Sequence, residues 1–303
     1  LGAHSRGEAV SLKHRVSQQL SDLLAYVLIP LIAVVTPGSF SRWLLRRVSA
    51  WRWFLSGSAE QALAGAARHD RVGNRDEWLR DWKRVELLDF RDLYMMLFWR
   101  GRTVLSEIDC SQPIGDVRGL PMVGMHWGPG ISVLRYLDAA GLQPAFPDRP
   151  PEGELLRSRP FYYLASHLAE RYLAKTLGQG AVPVGGAGKV VSGLLAGKGS
   201  ICVLMDAPPM SGRGTEQRTV LGRPARFNTG FPDLLAESGK DYFLWAMNLS
   251  EDGSLRKQLE LSGPNRGGSR EDFLDHFAEF LDLHLHGRSW HWRIWHAEGQ
   301  LWH

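Results

Sequence analysis

Cysteine is scarce in this chain: Cys110 and Cys202 are the only two among 303 residues. Two thiols cannot build a disulfide framework, and they fit no metal-binding spacing, so a reducing, cytoplasmic compartment is expected. Long apolar runs are missing too. The most hydrophobic stretch, LSDLLAYVLIPLIAVVTP at 20–37, has an uncharged run from Leu23 to Val35 that Pro30 interrupts. That run is shorter than the roughly 20 residues a spanning helix needs. Anchoring at a membrane interface is therefore the favoured expectation, ahead of a buried first helix and of a true span. The common catalytic signatures are absent as well: there is no G-x-S-x-G elbow and no H-E-x-x-H. GGAGKV looks like a phosphate loop, but its first glycine would fall at Pro183, and Val190 stands where Ser or Thr would hold magnesium. His284, His286, His291, His296 and His303 lack accompanying ligands at a zinc spacing. The opening LGAHS has no initiator methionine and reads as a processing remnant outside the fold.

What is present points to a folded protein with an anionic partner. The formal charge is +4 and twelve residues are Trp. A mildly basic balance suits a phospholipid surface, a phosphopantetheine carrier or a nucleic acid. The basic residues are scattered and no nucleic-acid motif accompanies them, which disfavours the last. Trp43 and Arg42, Arg46, Arg47 and Arg52 follow the hydrophobic stretch, a flank that suits a membrane interface. Residues 55–107 read as amphipathic helix. Trp78, Trp82, Val85, Leu88, Leu93 and Met96 recur there at three- and four-residue steps. From about residue 115 short apolar runs (LPMVGMHW, SICVLMD and DYFLWAMNL) alternate with helical segments. That alternation predicts an α/β fold, with a mixed, largely parallel central sheet flanked by helices behind an N-terminal helical layer. Residues 1–55 are assigned to the membrane-associating layer and 56–303 to the α/β unit. PDRPPEGELLRSRP reads as a surface loop beside a cleft.

One stretch carries candidate chemistry. In PMVGMHWGPG, at 121–130, an apolar run breaks into a glycine-rich turn with His126 at the break. A strand end opening onto a helix N-terminus lets a substrate approach the backbone closely. A neutral imidazole there can take a proton from an attacking hydroxyl or amine. Asp206 ends the run SICVLMD in the same way, and adjacent parallel strands would bring the two ends to one rim. The alternative for Asp206 is a turn cap ahead of Pro208. Arg213, Arg218, Arg223 and Arg226 surround the LGRP turn and are candidate phosphate contacts, or else a solvated loop.

Along most of its length the chain resembles the lysophospholipid acyltransferase superfamily, in particular the bacterial branch related to the lipid A late acyltransferases. MVGMHWGPG resembles the family's strand, histidine and turn. LLAGKGSICVLMDAPP resembles its block of helix, strand and acidic strand end. TVLGRPARFNTGFPDLLAESGKD resembles the passage through a G-x-P turn into a helix, and GRSWHWRIWH the closing Trp-rich strand. The resemblance implies transfer of an acyl group from acyl carrier protein or coenzyme A to a hydroxyl or amine. It places this at the cytoplasmic face of the inner membrane, with no metal or redox cofactor. His126 would be the general base, and backbone N–H groups around Gly128 and Gly130 would stabilise the oxyanion. Trp127, Arg171, Arg218 and Arg223 would contact substrate. The family's signature places Asp or Glu after four intervening residues, where this chain has Ile131. Three resolutions follow. A carboxylate arrives from elsewhere, Asp206 first, then Asp148, Glu152 or Glu154. A backbone carbonyl holds the ring for a more nucleophilic amine acceptor. Or the protein is a catalytically silent relative that binds lipid or carrier-bound acyl chains.

Overall fold

Pro30 shapes the N-terminal layer. Having no N–H, it leaves the Tyr26 carbonyl without its helical donor. In the computed structural model, which describes residues 12–148, 153–177, 181–183, 187–197, 199–209, 214–252 and 254–302, the chain accommodates this with a π turn. Leu24–Leu28 links α1 (Leu12–Leu23) to α2 (Ile29–Val35), and the Ile29 N–H donates to the Leu24 carbonyl five residues back. The freed Tyr26 carbonyl accepts from the Tyr94 hydroxyl at 2.8 Å. The helix thus continues through the proline. By length and composition, Arg15–Val35 is long and apolar enough to cross a membrane, contrary to the limit expected from the uncharged run. Yet one face is packed: Asp22, Tyr26, Ile29 and Ala33 are buried, while Val16, Leu20, Leu31 and Val35 are exposed.

Three helices complete the layer before the sheet begins: α3 (Gly38–Ser49), α4 (Ser56–Ala67) and the long α5 (Arg75–Leu97), with the short α6 (Gly101–Ser106) after them. Asn74 starts α5, its Oδ1 accepting from the Asp76 and Glu77 N–H groups at 3.1 and 3.2 Å. Those two acids sit in the first turn, where the helix dipole favours negative charge. The α/β part follows as β1 (Ile108–Cys110), β2 (Met122–Gly124), α7 (Ile131–Ala139), β3 (Phe146–Asp148), α8 (Gly153–Ser158), α9 (Pro160–Thr176), β4 (Ala181–Pro183), α10 (Ala187–Ala196) and β5 (Cys202–Leu204). Then come β6 (Thr215–Val220), β7 (Arg223–Asn228), α11 (Gly230–Ser238), β8 (Tyr242–Leu249), β9 (Lys257–Asn265), α12 (Arg270–Arg288) and α13 (Glu298–Leu301).

The central sheet has the order β1-β9-β8-β2-β5. All its pairings are parallel except β8 with β9. This is the mixed, largely parallel sheet that the alternation implied. β8 explains why its run is apolar throughout. Phe243, Trp245, Met247 and Leu249 enter one core, and Tyr242, Leu244 and Ala246 the other, so successive side chains serve opposite covered faces. Tyr26, Ile29, Leu45 and Val48 of the N-terminal layer belong to the first core, and packing is continuous across residue 55. The expected closing Trp-rich strand is instead a pair of 3-10 turns, Ser289–His291 and Trp295–Ala297. Among the described residues its one β-bridge pairs Trp292 with Trp127. Trp292, Trp295 and Trp302 pack on one another there, and this cluster of indoles favours compact turns over an extended strand.

A buried ion cluster fixes α5 against the sheet edge. Lys257 Nζ lies 2.6 Å from Asp92 and 3.3 Å from Glu107, and Arg91 pairs with the same two carboxylates at 2.8 and 2.5 Å. Two cations thus meet two anions, as buried charges require. Burial alone would raise the Glu107 carboxyl, but Arg91 and Lys257 hold it below the usual range. This pins the register of α5, and with it the acids on the next turns back.

Candidate functional site

Strand register brings His126 and Asp206 together. β2 and β5 pair in parallel with Gly124 opposite Leu204, and the Met205 N–H continues the ladder to the Gly124 carbonyl at 2.9 Å. Two residues further along each chain stand His126 and Asp206. Asp206 is fully buried, and its two oxygens accept three N–H groups. His126 Nδ1 lies 2.8 Å from Oδ1. The His126 backbone N–H and the Trp292 indole N–H reach Oδ2 at 2.8 and 2.7 Å. A carboxylate only accepts, so the imidazole gives it the Nδ1 proton, and in the neutral form of the ring Nε2 then keeps its lone pair. The ring is about one-third exposed, at 34%, and it lines a cavity of about 640 Å³.

The supporting wall comes from α5 and the closing turns. Arg293 donates its backbone N–H to the His126 carbonyl at 2.8 Å. Its guanidinium grips Glu86 through Nε and Nη2 at 2.9 and 3.1 Å and also pairs with Asp89. Asp89 in turn accepts the Ile131 N–H at 3.0 Å, so the start of α7 is tied to α5. Burial would lower the affinity of Arg293 for its proton, but Asp89 and Glu86 hold it well above the ordinary value. Burial lifts the Asp89 carboxyl above the usual range despite Arg293 and the Ile131 N–H. Glu86 and Asp89, with Trp82, Phe90 and Leu93, line the cavity at helical spacing along α5. None of these five was singled out from the sequence as a site residue. The signal was present as two acids three apart inside an otherwise apolar face.

Several expected contacts lie elsewhere. Trp127 is buried, donates to Asn248 Oδ1 at 2.9 Å and stacks on His291. Gly128 gives its N–H to the His291 carbonyl and Gly130 gives its own to the Gly128 carbonyl, both at 2.9 Å. The Gly128 donor is spent on the closing segment and the Gly130 donor inside the turn, so neither glycine N–H is placed for the expected role at an oxyanion. Gly128 is required for packing: its φ is +60°, and a Cβ would stand 1.9 Å from the Met247 carbonyl oxygen. Arg218, Arg223 and Arg226 sit on the β6–β7 hairpin, outside the cavity lining. Arg218 is bound by Glu216 and Asp275, and Arg226 reaches Thr215. Arg171 projects from the exposed face of α9, beside the cavity-lining Glu170. Glu154 is in the first turn of α8 and does not meet His126, whose ring is held by Asp206; Asp148 ends β3, and its side chain lies outside what the structure describes. Arg213, Glu152 and the segment 149–152 of the expected surface loop lie outside the described residues.

No family model matches the chain, and no curated protein matches it.

The two glycines of the turn are expected to behave oppositely. Gly128→Ala combines a positive φ with a backbone clash and should cost roughly 2–4 kcal/mol in urea denaturation. Gly130 has φ −71°, and a Cβ there meets only the Trp127 carbonyl at 3.7 Å, so Gly130→Ala should stay within about 1 kcal/mol of wild type. Equal losses would contradict the packing role assigned to Gly128.

Proposed function

We propose that the protein is an acyltransferase that moves an acyl group from a thioester of acyl carrier protein or coenzyme A to a hydroxyl or amine. The observation that carries this reading is the His126–Asp206 pair, 2.8 Å apart, at the wall of the cavity. Nε2 takes the proton of the acceptor as its oxygen or nitrogen attacks the thioester carbonyl. The tetrahedral intermediate collapses with cleavage of the C–S bond, and the imidazolium returns the proton to the leaving thiolate. Asp206 keeps the tautomer and compensates the transient positive charge, which is the task of the carboxylate that Ile131 displaces. A second reading, a silent acyl-binding relative, draws on the spent N–H groups of Gly128 and Gly130.

Turnover separates the two readings. Across a panel of acyl carrier protein and coenzyme A thioesters, with a crude lipid extract as acceptor source, wild type should consume thioester. His126→Ala should lose roughly 10²–10⁴-fold in rate, and Asp206→Asn a loss approaching about 10⁴-fold. Binding of acyl ligands without turnover in wild type favours the silent relative and sinks the catalytic reading.

The reading includes a site of work at an anionic phospholipid surface, on the cytoplasmic face of the inner membrane. Exposed aromatics on the N-terminal layer support it. Arg100 Nη1 donates to the Val34 and Thr36 carbonyls, which draws the α5–α6 turn against the end of α2. Val35 at 81% and Trp99 at 93% exposure therefore share one rim. Trp43, Trp51 and Trp53 are exposed on or just beyond α3, among Arg42, Arg47 and Arg52. Indoles with arginines are the composition of an interfacial anchor. Residues 20–37 hold core side chains, so their deletion would test folding instead. The double variant Trp43→Ser, Trp99→Ser should keep its thermal midpoint and lose most co-sedimentation with phosphatidylglycerol vesicles. Undiminished co-sedimentation would refute the anchor.

A further inference from the structure

The cavity beside His126 offers a ligand almost no positive charge. Among the described residues, Arg159 and Arg293 are the only arginines or lysines that line it. Arg293 already spends Nε and both terminal nitrogens on Glu86 and Asp89. Arg159 holds Asp22 through Nε and Nη2 at 2.8 Å each, and its guanidinium lies over the Tyr162 ring, 4.6 Å from the centroid. Carboxylates are in excess. Glu86, Asp89 and Glu170 line the cavity, with Asp22 and Asp206 directly behind lining residues. A phosphate needs several unspent charge-assisted donors, with arginine the usual source, and among the described lining residues Arg159 Nη1 is the one arginine nitrogen left over, set in a wall where carboxylates outnumber cations.

Neutral donors are available instead. Trp82, only 4% exposed, lines the same cavity, and its indole Nε1 has no hydrogen-bond partner. A buried indole N–H normally finds an acceptor, and this one is left unsatisfied on a residue of the cavity wall. Ser58 and Gln61 line the cavity from α4, one helical turn apart.

From this balance of charge and unsatisfied donors we infer that the acceptor presents a hydroxyl-bearing polar end without phosphate or any other anionic group. The inference rests on the acyltransferase reading only in naming this ligand the acceptor; the selectivity of the cavity is measured without turnover. The probes are octyl glucoside and octyl phosphate, titrated below their micellar concentrations into wild-type protein by calorimetry. Octyl glucoside should bind tighter by roughly tenfold or more. Ser166→Trp, which fills the cavity from α9, should abolish that binding. Gln61→Arg supplies an unpaired cation at an exposed position and should narrow the gap by strengthening the phosphate. Equal or tighter binding of octyl phosphate by wild type overturns the inference. So does a failure of both probes to bind, or glucoside binding that survives Ser166→Trp. Each of these results leaves thioester turnover by His126 standing or falling on its own assay.

Discussion

A fully buried carboxylate is costly unless its oxygens are met, and Asp206 meets that cost with three N–H donors. Those donors come from just past β2 and from the closing turn, while Asp206 itself stands two residues past β5. One side chain therefore holds three segments that are far apart in sequence. Arg293 repeats the device on the other side of His126, with its backbone on the His126 carbonyl and its side chain on two acids of α5. The imidazole is clamped through its ring, its N–H and its carbonyl, leaving Nε2 as the open group. Such preorganisation is what acid–base work at a cavity wall requires.

The same economy extends into the scaffold. Lys257, Arg91, Asp92 and Glu107 balance their charges in the interior, and the N-terminal layer is bound through Asp22 to Arg159 and through the Tyr26 carbonyl to Tyr94. The layer is thus both a wall of the cavity, through Tyr26, and the bearer of the exposed indoles. The exposed indoles and His126 are linked through one continuous set of side-chain contacts.

The alternation of apolar runs and helical segments revealed the sheet, because β2, β5 and β8 are covered on both faces. His126 and Asp206 were legible for the same reason: each is the first polar side chain after such a run, and parallel pairing does the rest. The α5 acids were not, since Glu86 and Asp89 sit in a stripe whose tryptophans and leucines read as core. Their burial depends on Arg293, some two hundred residues away. The arginines near the LGRP turn misled because charge near a motif in sequence is not charge near it in space. The hairpin carries Arg218 to Asp275 instead. Ile131 stands where the local carboxylate was expected, and the carboxylate that meets the ring comes from the end of a neighbouring strand 80 residues on, where the run SICVLMD had pointed to it.

The central claim is that Asp206 fixes the His126 tautomer with Nε2 free. Long-range proton–nitrogen correlation spectra of imidazole-labelled protein at neutral pH read this directly, with His126→Gln assigning the signal. In wild type the neutral form of the ring should carry its proton at Nδ1 and be bare at Nε2, with that preference lost in Asp206→Asn. An Nε2-protonated ring in wild type, or an unchanged tautomer in Asp206→Asn, would contradict it.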